Sequence, residues 1–91
     1  MKLVIDNLEF SIGGVRSLSK EKFSALYELR DMSDDLIQWA EEKLLSKSQF
    51  NLQIVNGSKI ILIGEQCYFN KPNRFNRTAE LKVNWVEQSQ I

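Results

Sequence analysis

The sequence predicts an α+β domain in which an antiparallel sheet of four to five strands carries an α-helical hairpin on one face, in the order ββααβββ. Three observations predict this class. Apolar and polar residues alternate in residues 1–12 and 78–86, two capped helical patterns lie between these stretches, and an Asn-Gly dipeptide separates two apolar runs. Residues 1–87 are expected to form one domain, because 91 residues are too few for two, and residues 88–91 are expected to form a frayed tail.

Residues 1–12 predict a first β-hairpin. The alternation changes phase at Asp6 and Asn7, so a two-residue turn there places Ile5 opposite Leu8 and brings all the apolar side chains to one face. A single kinked strand is the alternative, since Asp-Asn lacks the glycine that the primed hairpin turns favour.

Two capping serines predict two helices. Ser19 stands between the leucine and phenylalanine of a hydrophobic staple, which predicts a helix over residues 20–31. Ser33 repeats the pattern, with two aspartates in the following turn, and predicts a second helix that ends near Ser46. The short connection between them favours an antiparallel helix pair.

A second hairpin is predicted at Asn56-Gly57, because both central residues of a type I′ turn need positive φ. This register places Leu52 opposite Ile61. In the final strand, four alternating side chains are expected to share one face: Ala79, Leu81, Val83 and Trp85.

One face of the predicted sheet lacks a cover, because two helices can cover only the other face. We expect a second copy of the chain or another protein to cover it, while long side chains such as Lys82 lying across the face are the alternative. Acidic residues at the end of the first predicted helix, where the helix dipole disfavours them, are expected to select a basic partner. The predicted protein interface consists of Ile60, Leu62, Val55, Val86, Glu28 and Asp31.

Charges are sorted along the chain although its net charge is zero. Acids predominate in residues 28–42, whereas the loop 70–77 carries cations and no acid. The loop predicts an alternative function, a nucleic-acid-binding regulator, in which an aromatic ring stacks on a base and the cations contact phosphates. The other interpretation is a plain hairpin loop whose aromatic ring folds back onto the core. The residues of the alternative site are Lys71, Arg74, Phe75 and Arg77.

Catalytic chemistry has few candidate residues. The chain has no histidine and one cysteine, Cys67, so Ser-His, Cys-His and His-ligated metal sites are impossible within one chain. We predict no catalytic, cofactor-binding or metal-binding residue and no enzymatic activity. An enzyme that uses carboxylates alone would need Glu28 or Glu41 in a cleft with a raised pKa. Cys67 is predicted to be a small buried hydrophobe.

The compartment follows from the same residues. A single cysteine suits the reducing cytoplasm, and no apolar run is long enough to cross a bilayer or to serve as a signal peptide. The sequence therefore predicts a small cytoplasmic protein-binding module without a cofactor or membrane contact. We expect a homodimer and an inhibitor, immunity or regulatory protein, acting through a sheet face and an acidic helix pair.

Overall fold

Seven strands form a single antiparallel sheet that carries one helix, in a computed structural model that describes residues 1–91. The strands follow the order β2-β1-β5-β6-β7-β4-β3 across the sheet. In chain order the elements are β1 (Lys2–Ile5), β2 (Leu8–Ser11), β3 (Gly14–Lys20), β4 (Ala25–Arg30), α1 (Asp34–Ser46), β5 (Phe50–Asn56), β6 (Lys59–Asn73) and β7 (Thr78–Ser89). The predicted α-helical hairpin and the order ββααβββ are therefore wrong.

The error lies in residues 20–31, where the first predicted helix is replaced by the end of β3 and the whole of β4. Ala25, Tyr27 and Leu29 are buried, whereas the residues between them are partly exposed, which is the two-residue period of a strand. β4 pairs with β3 on one side and with β7 on the other. These two ladders satisfy the backbone on both sides, and this tertiary pairing overrides the local capping signal.

Two local predictions are confirmed. β1 and β2 form the first hairpin with Ile5 opposite Leu8, as the change of phase predicts. α1 begins after Ser33, whose Oγ accepts a hydrogen bond from the N–H of Leu36, and it ends at Lys47, which adopts the left-handed conformation with φ 53°. A hydrogen-bonding serine therefore defines the N-terminus of the helix, and a residue in the left-handed conformation defines its C-terminus.

The second hairpin exists, but its register differs from the prediction. Asn56 pairs with Lys59, so Gly57 and Ser58 form the turn, and Gly57 takes a positive φ of 65°. This shift of the turn, together with one irregularity between Ile54 and Val55, places Leu52 opposite Gly64 rather than Ile61. When the register of a strand shifts by one residue, each of its side chains moves to the opposite face of the sheet. A β-bulge shifts the register by one residue and can move the following side chains back.

The sheet bends around its own core because α1 alone cannot cover seven strands. α1 packs on β6 and touches β2 and β7, whereas no contact joins it to β3 or β4. Tyr27, on the strand β4 that α1 does not contact, is fully buried, and its hydroxyl lies 3.3 Å from Ser89 Oγ near the end of β7. The two edge strands, β2 and β3, follow each other in the chain, so the bend brings both edges of the sheet to the Ile12–Gly13 link.

The last residues are hydrogen-bonded to the body of the protein. β7 continues to Ser89, the N–H of Gln90 donates to the carbonyl of Ile61 at 2.9 Å, and Ile91 packs against the core. Residues 88–91 therefore contribute to the edge of the core where the sequence predicts a frayed tail. α1 has neither the length nor the apolar character that a membrane-spanning helix requires.

Core side chains fill the space above Gly64 in β6. A Cβ atom at this position would lie 2.7 Å from Val83 Cγ1 and 3.1 Å from Cys67 Sγ, both of which belong to the buried core. We expect Gly64→Ala to lower the free energy of unfolding by about 1–3 kcal/mol, because the methyl group overpacks the core. Urea denaturation measures this difference.

Gly14→Ala is the matched control for Gly64→Ala. Gly14 also lies in a strand, and a Cβ there would meet no atom within 4 Å. We expect its unfolding free energy to change by less than about 1 kcal/mol. Equal stability of the two variants would contradict the close packing of Val83 and Cys67 over Gly64.

Candidate functional site

The loop between β6 and β7 lies against the acidic side of α1. The Arg74 guanidinium donates a hydrogen bond to Glu41 Oε1, and Arg77 Nη1 lies 3.2 Å from Asp34 Oδ1. The hydrogen bond to Glu41 and its negative charge raise the pKa of Arg74. The basic and acidic segments that are separate in the sequence therefore form one surface, which we call the helix–loop surface: residues 74–77 and the exposed side of α1.

Three hydrogen bonds, each with at least one backbone partner, fix the same loop. Arg77 Nε donates to the carbonyl of Met32 at 2.9 Å, and the N–H of Met32 donates to the carbonyl of Arg77 at 3.0 Å. Within the loop, the N–H of Asn76 donates to Asn73 Oδ1 at 2.8 Å. Since Met32 belongs to the buried core, the loop is attached to a rigid part of the molecule.

Phe75 stands at the tip of this braced loop with 94% of its surface exposed. The interpretation in which its ring folds back onto the core is therefore wrong. Leu45 on α1 is 85% exposed, and these two are the most exposed of the large hydrophobic residues. A large aromatic ring held in solvent by a fixed loop is preorganised to enter a pocket on a partner.

Each cation of the loop is paired with an acid. Besides the two arginine pairs, Lys71 Nζ lies 3.8 Å from Glu80 Oε2 on β7. A phosphate would have to compete with these carboxylates for every cation. The loop consequently presents far less positive potential than its sequence predicts.

Glu28 is also held within the protein. Arg30 Nε donates to Glu28 Oε1 at 2.9 Å, and Arg16 lies 3.3 Å from the same oxygen. The hydrogen bond from Arg30 and the charges of both arginines outweigh desolvation and lower the pKa of Glu28. A carboxylate that works as a general acid needs the opposite shift.

Three acids near α1 make no ion pair and remain exposed. They are Asp31, at the end of β4, and Asp35 and Glu42 on α1; Glu42 accepts a hydrogen bond from Gln38. Their charges are free to meet a partner. The acidic surface therefore persists in the structure on one helix, whereas the predicted helix pair does not.

The predicted sheet-face residues do not form one patch. Leu62 is fully buried in the core, and Val86 packs against it. Val55 and Ile60 oppose each other near the β5–β6 turn, and both are half-buried. Val86 is half-buried as well, so Leu62 is the one of these four apolar residues that is withdrawn from the surface altogether.

An aromatic patch on the face opposite to α1 was not predicted. The rings of Phe23 and Trp85 stack with centroids 4.8 Å apart and planes 14° apart, and each is nearly half exposed. Trp85 was expected on the core face with Val83, but beside it Gln66 adopts a positive φ of 53° and the alternation of β6 and β7 is interrupted. The two-residue period of β4 was the one sequence signal that could have placed Phe23 beside a sheet.

The molecule has three shallow clefts, of which one, about 300 Å³ in volume, is mostly apolar and lies between the C-terminal turn of α1 and Tyr68 on β6. Two clefts of about 330 Å³ share Asp6 and Asn51 and open at the end of the β1–β2 hairpin. No three acidic or cysteine side chains converge to hold a metal ion.

The prediction that Cys67 is a buried hydrophobe is confirmed, since its thiol is buried in the core. The resulting desolvation, together with the negative charge of Glu65, raises the pKa of this thiol to about 12.

No protein-family model, curated protein or solved structure shows a significant match to this chain. The fold defines a class, a small antiparallel sheet bent around one core with a single helix, and the helix–loop surface is its most distinctive exposed feature.

Arg77→Ala tests the brace of the loop. This variant removes the donor to the Met32 carbonyl as well as the pair with Asp34, and we expect the unfolding free energy to fall by about 1 kcal/mol. Arg16→Ala is the control, because Arg16 makes an exposed ion pair but no hydrogen bond to the backbone, and we expect a loss below about 0.5 kcal/mol. Equal losses in thermal or urea unfolding would contradict the bracing role of Arg77.

The Cys67 thiol makes stability depend on alkaline pH. Its pKa of about 12 in the folded chain exceeds the ordinary value of 9.0, so the folded state retains a proton that the unfolded state loses. This stabilising contribution is complete below the ordinary value and is lost as pH rises through the folded pKa. Between about pH 9 and 12, the unfolding free energy is expected to fall by up to about 1.4 kcal/mol per pH unit.

Cys67→Ala isolates this effect. Urea unfolding of both proteins at about pH 8 and about pH 10.5 gives the difference, since the other titrating groups are common to both. The wild type is expected to lose more stability than the variant. Identical losses would show that the thiol is accessible to solvent in the folded chain.

Proposed function

We propose that this chain is a small non-enzymatic domain that binds another protein through its helix–loop surface, as an inhibitor, immunity protein or regulator does. The observation that carries the proposal is Phe75, which is 94% exposed on a loop that two arginines fasten to α1 and to the backbone of Met32. The proposal moves the contact from the predicted sheet face to the opposite side of the molecule.

The energetics favour a pocket for this ring. Burial of a phenylalanine side chain contributes about 1.5–3 kcal/mol, and aromatic anchors at the centre of interfaces often supply a large part of the binding energy. Because the loop is already held by Arg74 and Arg77, little conformational entropy is lost when Phe75 is bound. Leu45 offers a second apolar contact on the same helix that carries Glu41.

The charged residues near the helix–loop surface indicate which kind of partner would be complementary to it. Asp31, Asp35 and Glu42 are exposed and unpaired, whereas the cations of the loop are neutralised by their acidic neighbours. A complementary partner therefore has an apolar pocket with a basic rim, and the acids would accelerate encounter with it and suppress binding to acidic proteins.

A nucleic-acid-binding regulator remains the alternative proposal. It would use Phe75 for base stacking and Lys71, Arg74 and Arg77 for phosphates. The ion pairs weaken this alternative, since each phosphate contact would first have to break one of them. The cytoplasm is the proposed compartment, because a single thiol without a disulfide suits it, and the proposed state is a homodimer.

Photo-crosslinking at the tip of the loop tests the proposal. A photoreactive phenylalanine analogue in place of Phe75 is expected to form an adduct with one protein in the cells that make this chain. The same analogue in place of Lys59, in the exposed β5–β6 turn, serves as the matched control and is expected to give no such adduct.

Charge reversal decides whether the contact is specific. Asp35→Lys together with Glu42→Lys is expected to reduce the adduct at position 75 at least about tenfold, because the basic rim of the partner would be repelled. Circular dichroism verifies the fold of each variant. Adducts that disappear with nuclease would favour the nucleic-acid alternative, and adducts equal to those at position 59 would refute both.

A further inference from the structure

The face of the sheet opposite to α1 carries a second surface with the composition of an interface. We call it the outer-face patch; its apolar members are Phe23, Leu26, Tyr68 and Trp85. The first and last of these stack on each other, while Tyr68 and Leu26 flank Lys82 on the two neighbouring strands. Three aromatic rings that are between 38% and 49% exposed thus lie on one face of three adjacent elements of the sheet.

Three charged side chains accompany these rings: Lys22, whose exposed Nζ lies 5.1 Å from the centroid of the Phe23 ring, and two of opposite sign on the strands. Glu65 opposes Trp85 on the neighbouring strand, and Lys82 opposes Tyr68. Both charged residues are half-buried, and neither makes an ion pair within the chain. Partial burial of an unpaired charge costs free energy, so each gains if a group of opposite charge approaches from outside.

We infer that the occupant of the outer-face patch is a second copy of this chain, related by a two-fold axis that passes near the Phe23–Trp85 stack. Such an interface requires a surface that is complementary to itself. The patch satisfies this condition because both signs of charge stand beside its aromatic centre, so that Lys82 of each copy can meet Glu65 of the other, while the exposed Lys22 stays over Phe23 at the rim. The net charge of zero adds no long-range repulsion between copies.

Other occupants fit the patch less well. A nucleic acid or an anionic membrane would attract Lys22 and Lys82 but repel Glu65, which is half-buried beside the aromatic stack and would remain unpaired. A second copy satisfies both charges at once. Of the patch residues, Tyr68 reaches the C-terminal turn of α1, whereas the loop that carries Phe75 lies against the beginning and middle of α1. The dimer therefore leaves Phe75 of both copies free, and its existence does not depend on the function proposed for the helix–loop surface.

Reciprocal charge reversal tests the dimer. We expect the wild-type chain to sediment as a dimer, and we expect Lys82→Glu and Glu65→Lys each to weaken dimerisation at least about 30-fold, because each places like charges across the axis. The double variant, Lys82→Glu with Glu65→Lys, restores opposite charges and is expected to recover the dimer to within about threefold. Lys59→Glu, at the exposed β5–β6 turn, is the control and is expected to leave dimerisation unchanged.

Analytical ultracentrifugation measures the dissociation constants, and circular dichroism verifies each fold. If Glu65→Lys fails to fold, Tyr68→Lys replaces it as a variant at an exposed position of the patch and is expected to give a monomer. A wild-type chain that is monomeric at about 100 μM overturns the inference, because a specific interface of this kind binds more tightly. A double variant that dimerises no better than the single variants also overturns it. Crosslinking at position 75 is expected to persist in monomeric variants, so failure of the dimer and failure of the proposed function are separable.

Discussion

The whole structure depends on one constraint: a single helix of 13 residues is too short to cover a seven-stranded sheet. The sheet therefore has to cover the rest of the core with its own strands. A flat sheet would leave β3 and β4 without a core, so the sheet bends until its own strands supply the missing cover. Tyr27 is fully buried in this core, and the side chain of Val83 packs over Gly64, where another side chain would not fit. Core, edges and outer face all follow from this bend.

Local signals were sufficient for the parts of the fold that local interactions specify. The first hairpin and α1 were predicted from a change of phase and from a serine cap, and both need only neighbouring residues. Residues 20–31 also carried a cap signal, but their pattern fits either period, and the decision came from β7, whose partner residues lie about 50 positions away. No window of the sequence contains that pairing, so propensity could not reveal it.

The sequence predicted only part of the candidate site. The clusters of opposite charge were correctly identified as unusual, but their separation along the chain concealed that they lie against each other across the β6–β7 loop and α1. Contacts of this kind are set by the packing of the helix on the sheet. The exposure of Phe75 and the outward turn of Trp85 likewise depend on the three-dimensional arrangement of the loop and on an irregularity in β6.

The strand order also has a kinetic consequence. Four of the six strand pairs join neighbours in the chain, whereas β1 with β5 and β4 with β7 join segments that are distant in sequence. The four local pairs can form early, because closing a short loop costs little entropy. The β3–β4 hairpin has to wait until β7 is in place, so its docking is expected to be the late step of folding and to slow it relative to helical domains of this length. Until then β7 exposes an unpaired edge. This partly folded intermediate is therefore the state most prone to association between chains.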